Sequence, residues 1–119
     1  MAKTILIVED NQGDRARLER LLSGAGYSVS TAENGAQALA AVKRSKPDAI
    51  LMDVNMPTMD GFATTRALRG DAETRGIPVV LVTAKDQKAD KAWGQMLGAA
   101  GYVTKPYTDE QMLTQMRAL

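Results

Sequence analysis

Glu9, Asp10, Asp53, Thr83 and Lys105 are the residues whose types and spacing could do chemistry together. Each stands at the end of a short apolar run. Thr4-Ile5-Leu6-Ile7-Val8 leads into the acid pair, and Ala49-Ile50-Leu51-Met52 leads into Asp53. Pro78 to Thr83 closes on a hydroxyl, and Gly101 to Thr104 runs into Lys105-Pro106. If these runs are parallel strands of one sheet, all the polar ends fall on the same edge, where open α/β sheets bind their ligands. Three crowded carboxylates repel one another and need a cation or a proton to be tolerated. The chain has no histidine and no cysteine, so oxygen donors alone are on offer and the matching ion is hard and divalent, with Mg²⁺ the best fit. A lysine and a hydroxyl beside it suit phosphoryl oxygens. Phosphoryl transfer asks mostly for positioning and charge neutralisation, which such a set supplies. Singly, each residue has an ordinary explanation: an acid capping the next helix, a satisfied strand hydroxyl, a solvated lysine. It is their arrival together at strand ends that points to a site.

The elements that must position them read as strand and helix in alternation, five times over. The first, third and fourth strands are continuously apolar and rich in branched side chains, as central strands buried on both faces are. Tyr27 to Ala32 alternates and reads as an edge strand. The first helix follows Asn11 and Gly13, with Ala16, Leu18, Leu21, Leu22 and Ala25 inward. Asn34-Gly35 opens a second with Ala36, Leu39, Ala40 and Val42 inward, closing before Pro47. A third begins near Asp60 with Phe62, Ala63, Ala67 and Leu68, and Gly70 to Gly76 is a polar connection. A fourth begins at Lys85-Asp86 and carries Ala89, Ala92, Trp93, Met96 and Leu97 on one side. The last starts near Thr108-Asp109-Glu110 with Met112, Leu113, Met116 and Leu119 inward. The two methionines read as core filler. Right-handed crossovers then give a parallel sheet with helices on both faces.

Composition narrows the class. At 119 residues, residues 1–119 are expected to form one domain. Fifteen basic against fourteen acidic residues leave a net charge of +1 with no basic block, so a nucleic-acid face is not expected. No signal-peptide pattern and no apolar stretch of roughly 20 residues stands out. The expectation is a soluble cytoplasmic domain with no membrane insertion.

At this point the chain resembles the response-regulator receiver family, typified by the chemotaxis regulator CheY. The likeness covers essentially the whole sequence and rests on Glu9-Asp10, Asp53-x-x-Met56-Pro57-x-Met59-Asp60-Gly61, Thr83-Ala84 and Lys105-Pro106. It implies a flavodoxin-like (βα)5 domain with strand order 2-1-3-4-5. It implies Asp53 as phosphoacceptor, taking a phosphoryl group from a phosphohistidine of a partner histidine kinase. Mg²⁺ would be bound by Asp10, Asp53 and the backbone carbonyl of Asn55, with Glu9 acting largely through water. Lys105 would pair with the phosphoryl group, the Thr83 hydroxyl with its oxygen, and the Lys105–Pro106 bond would be cis. Thr83 and Tyr102 would form a switch that reshapes, for a partner protein, the face of the fourth helix, fifth strand and fifth helix. Asn55 and Lys85 stand where the family tunes the lifetime of the phosphoryl group. The leading acid is Glu9 where many members have Asp, and Mg²⁺ binding is expected to survive that change.

The stretch Thr83-Ala84-Lys85-Asp86-Gln87-x-x-Asp90-Lys91-x-Trp93-Gly94 is similar to the PilH-like single-domain receivers of type IV pilus systems and twitching motility. The resemblance implies a stand-alone signalling phosphoacceptor, not a turnover enzyme, and a monomer, with weak dimerisation on phosphorylation as the variant. A receiver fragment of a larger regulator and a phosphate sink remain alternatives. A haloacid-dehalogenase-like hydrolase needs a second acid two residues after the nucleophile, and Asn55 cannot fill that role. A docking module with a degenerate site is opposed by the intact acids.

Overall fold

The computed structural model describes residues 3–54, 61–84, 92 and 98–119. Asn55, Lys85 and Trp93, and with them nearly all of the helix expected between the fourth and fifth strands, lie outside the described residues.

Five strands form one parallel sheet: β1 (Thr4–Val8), β2 (Ser28–Ala32), β3 (Ala49–Asp53), β4 (Val79–Ala84) and β5 (Gly101–Lys105). Their order is β2-β1-β3-β4-β5, the order expected. The register pairs Val8 with Met52, Asp53 with Val82, and Ala84 with Lys105. β3 is buried at every residue because neighbours cover both its edges and helices both its faces, which is why its sequence is uninterrupted Ala-Ile-Leu-Met. β2 pairs with one strand only and is mostly exposed, as its alternation foretold.

Among the described residues four helices flank the sheet: α1 (Gln12–Gly24), α2 (Gly35–Arg44), α3 (Gly61–Gly70) and α4 (Asp109–Arg117). Leu18 and Leu22 of α1 and Met112 and Met116 of α4 pack with Ile5, Ile7, Leu51, Val80 and Val82 on one face. Ala38 and Val42 of α2 and Leu68 of α3 pack with Leu6, Val8, Ile50, Met52 and Leu81 on the other. Asn11, Asn34 and Thr108 cap α1, α2 and α4 through their side-chain oxygens.

The inward stripes depart from expectation where alanine had to be assigned a side. Ala36 and Ala40 are exposed, and Gly35, Ala38 and Val42 are the buried residues of α2. Ala25 is not inward but exposed at the end of α1. In α3 the buried residues are Gly61, Thr64, Thr65 and Leu68, while Ala63 and Ala67 face outward. Burying Thr65 is tolerable because its hydroxyl donates to the carbonyl of Gly61 at 2.6 Å. In the Gly70 to Gly76 connection Thr74 is buried likewise, its hydroxyl donating to the carbonyl of Leu68 at 2.6 Å.

Candidate functional site

The acid and lysine positions follow from the register. Val8 lies beside Met52, so Glu9, the next residue after β1, falls beside Asp53, the last of β3. Lys105 ends β5, two strands from β3, a gap of about 10 Å that a lysine stem can bridge across β4. Alternation along the strands puts Asp53 on the α1 and α4 side with Leu51, and Lys105 on that side with Val103.

The side chains meet. Lys105 Nζ lies 3.1 Å from Glu9 Oε1 and 3.4 Å from Asp53 Oδ2, within hydrogen-bonding distance of both. Glu9 and Asp53 are only 2% and 3% exposed, whereas the Lys105 side chain is 33% exposed and reaches them from the rim. Carboxylate oxygens of Glu9, Asp10 and Asp53 all lie within 4.8 Å of one another. Burial, the hydrogen bond to Asp53 and the Asp53 charge hold the Glu9 carboxyl above its ordinary 4.5, against the opposing pull of Lys105. For Lys105 burial works against the ammonium, but the Asp53 charge and the hydrogen bond and charge of Glu9 outweigh it, and the net shift is upward.

Backbone contacts fix the acids. The Glu9 N–H donates to the Ala32 carbonyl at 3.1 Å, tying the end of β1 to β2. The Asn11 N–H donates to Glu9 Oε2 at 3.3 Å. The Arg15 guanidinium donates to the carbonyl oxygens of Glu9 and Asp10 at 2.9 and 3.3 Å, clamping the turn that carries both acids. Asp14, in the first turn of α1, puts Oδ2 3.7 Å from Lys105 Nζ. Neither Asp14 nor Arg15 was singled out by the sequence; their place in the first turn of α1, just after the acid pair, is the signal that could have found them.

Thr83 is buried in β4, facing Thr104 across the pair. Tyr102 stands opposite Leu81, on the same face of the sheet as Thr83 and diagonal to it. It is half-buried, packs against the core on the α2 and α3 side, and has its phenol held above the ordinary 10.0 by burial. The Lys105–Pro106 peptide is cis.

The acid set fits a hard divalent cation. Among the described residues three carboxylates meet one ammonium, and the carboxylate donors are all oxygens.

A doubly wound parallel sheet with acids and a lysine at its carboxyl edge is the architecture of the CheY-like fold, and solved structures agree. The chemotaxis protein CheY4 of Vibrio cholerae superposes with a TM-score of 0.93 at 32% identity, covering 99% of this chain and 98% of that one. The receiver domain of the sensor histidine kinase PA1611 from Pseudomonas aeruginosa, solved with a magnesium ion coordinated in its active-site cleft, gives 0.86 at 32% identity, covering 98% of this chain and 97% of that one. The chain belongs to the response regulator receiver domain family, which it matches over residues 5–117. It is 45% identical over 115 residues to the protein PilH of Pseudomonas aeruginosa, covering 97% of this chain and 95% of that protein. Among the described residues no helix is long and apolar enough to cross a membrane.

Proposed function

We propose that this receiver is a phosphoacceptor in a two-component phosphorelay, with Asp53 as the nucleophile. An Asp53 carboxylate oxygen attacks the phosphorus of a phosphohistidine on a histidine kinase. The new P–O bond forms as the P–N bond breaks, and the imidazole leaves as a neutral base after taking a proton. Hydrolysis reverses the state: water attacks phosphorus, the bond to Asp53 breaks, and phosphate is released. The single observation carrying this reading is the convergence of the Glu9, Asp10 and Asp53 carboxylates within 4.8 Å, with Lys105 Nζ 3.1 and 3.4 Å from two of them.

Mg²⁺ would be held by Asp10 and Asp53 with the carbonyl of Asn55, and through water by Glu9; it would supply charge neutralisation for the phosphoryl oxygens. Lys105 is free to swing from the buried acids to a phosphoryl oxygen because its stem is part-exposed. The Thr83 hydroxyl takes a second oxygen, and Tyr102, its diagonal neighbour, moves with it. The output is then a change in the face of β5 and α4, together with the segment between β4 and β5. A groove of about 590 Å³ bordered by Tyr102, Pro106, Gln111 and Gln115 gives a partner protein a place to bind there. Asn55 and Lys85 would set the phosphoryl lifetime.

The near full-length likeness to PilH supports a stand-alone regulator, and with the Trp93-Gly94 stretch it supports a role in type IV pilus signalling. The protein would work in the cytoplasm, be consumed and regenerated stoichiometrically instead of turning over substrate, and act as a monomer with at most weak dimerisation when phosphorylated.

The test is intact mass after incubation with acetyl phosphate and Mg²⁺, alongside Asp53→Asn and a chelator control. Gain of one phosphoryl group, absent from both controls, is expected. Acid-labile phosphate persisting on Asp53→Asn would overturn the assignment.

A further inference from the structure

Lys105 has a third carboxylate beside it that belongs to neither the strand ends nor the oxygen cluster. Asp14 Oδ2 lies 3.7 Å from Nζ, and its side chain is 50% exposed where those of Glu9 and Asp53 are 2% and 4%. Asp14 therefore sits at the mouth of the site, over buried acids.

The start of α1 explains why this carboxylate is available. Asn11 is the N-cap and its Oδ1 accepts from the Asp14 N–H at 2.9 Å. Asp14 is thus the third helical residue, where a capping box would turn an acid or amide back onto the N-cap N–H. In α4 that box is complete, between Thr108 and Gln111. In α1 the Asn11 N–H is taken by Glu9 Oε2 at 3.3 Å instead. The Asp14 carboxylate is left to approach Lys105.

Two consequences follow from one charge. An ammonium drawn toward Asp14 is drawn away from an incoming phosphoryl oxygen. A carboxylate at the mouth also repels an anionic donor, the more so the higher the donor's charge. Resting on the phosphoacceptor reading, we infer that Asp14 is a specificity-determining residue: it restrains Lys105 and disfavours small dianionic phosphodonors at Asp53.

Its position in the first turn gives the inference a signature that structural damage does not share. An acid there stabilises the helix N-terminus, so Asp14→Asn should lower stability slightly while raising the rate of phosphorylation. Exposed ion pairs have effects that convert to a change of about 1.5- to fivefold in rate.

The experiment compares wild type, Asp14→Asn and Asp14→Glu, each phosphorylated by acetyl phosphate and by the less charged phosphoramidate at low and high salt. Intact mass gives the rate and thermal unfolding the stability. Asp14→Asn should be faster with acetyl phosphate by that factor and gain less with phosphoramidate. Its advantage should shrink at high salt. Asp14→Glu should return to wild-type behaviour. If wild type is labelled and Asp14→Asn is labelled no faster, or gains equally with both donors and at both salts, the inference falls while the phosphoacceptor reading stands. If wild type takes up no phosphoryl group from either donor, that reading falls and the inference with it.

Discussion

A Cβ added at Gly61 would stand 2.5 Å from the carbonyl oxygen of Asp53 and 2.9 Å from the Cα of Val54. The Gly61 N–H donates to the Val54 carbonyl at 3.2 Å, so the first residue of α3 is seated directly on the end of β3. Both obstacles are backbone, which cannot turn aside as a flexible side chain would.

Gly61→Ala must therefore push α3 and the Asp53 turn apart. A loss of about 1–3 kcal/mol in urea unfolding is expected, together with slower labelling of Asp53 by acetyl phosphate. Gly70, at the other end of the same helix, has nothing within 4 Å of an added Cβ. Gly70→Ala should stay within about 1 kcal/mol of wild type and keep its labelling rate. Equal behaviour of the two variants would mean that the close approach at Asp53 constrains nothing.

Asp53→Asn should lose phosphorylation and gain stability. Glu9 and Asp53 are both buried, Asp10 is close, and Lys105 is the lysine that pairs with them among the described residues. Removing one carboxylate relieves repulsion in the metal-free protein. Unfolding in chelator near neutral pH should show Asp53→Asn at least as stable as wild type, by up to about 1–2 kcal/mol. A marked loss of stability would mean that the Lys105 pairing outweighs the crowding.

Both expectations rest on contacts of unequal visibility in the sequence. Strands β1, β3 and β4 were legible because buried parallel strands are continuous apolar runs, and Glu9 and Asp53 because each breaks such a run; β5 is an edge strand with Val103 alone buried, and Lys105-Pro106 marks its end. The interior of α3 was not. Thr64 and Thr65 are polar by composition, and the back-bond from Thr65 to Gly61 that permits burial leaves no trace in hydropathy. Ala36 and Ala40 read as inward because alanine counts as apolar, yet its small methyl costs little to expose. Asp14 was missed because its tie to Lys105 joins residues remote in sequence and depends on the phase of α1.

Lys105→Met should separate the electrostatic from the packing role of that side chain. The methylene stem is replaced closely and the charge is lost, so Glu9 and Asp53 lose the ammonium that pairs with both. A loss of about 1–3 kcal/mol in chelator is expected, between the values for exposed and fully buried pairs, since the lysine is part-exposed. Mg²⁺ should restore part of it, whereas phosphorylation should remain slow. If Mg²⁺ gives Lys105→Met no more stabilisation than it gives wild type, the acids are not the ion's ligands.

Glu9 sets the pH dependence of the metal-free protein. Its folded carboxyl titrates above the ordinary 4.5, through burial first and then the hydrogen bond and charge of Asp53. The folded state thus binds this proton more tightly than the unfolded chain does. Its contribution to stability is fully present below 4.5 and is lost as pH rises through the elevated folded value. In chelator, stability should therefore carry a downward component as pH is raised across that window, and Glu9→Gln should remove it. A divalent cation competes with the same proton, so Mg²⁺ affinity, followed by calorimetry, should rise with pH over the same interval. Asp10→Asn should weaken that affinity at every pH, because it removes a proposed ligand. A Mg²⁺ affinity flat across the Glu9 window in wild type, and unchanged in Asp10→Asn, would place the ion elsewhere.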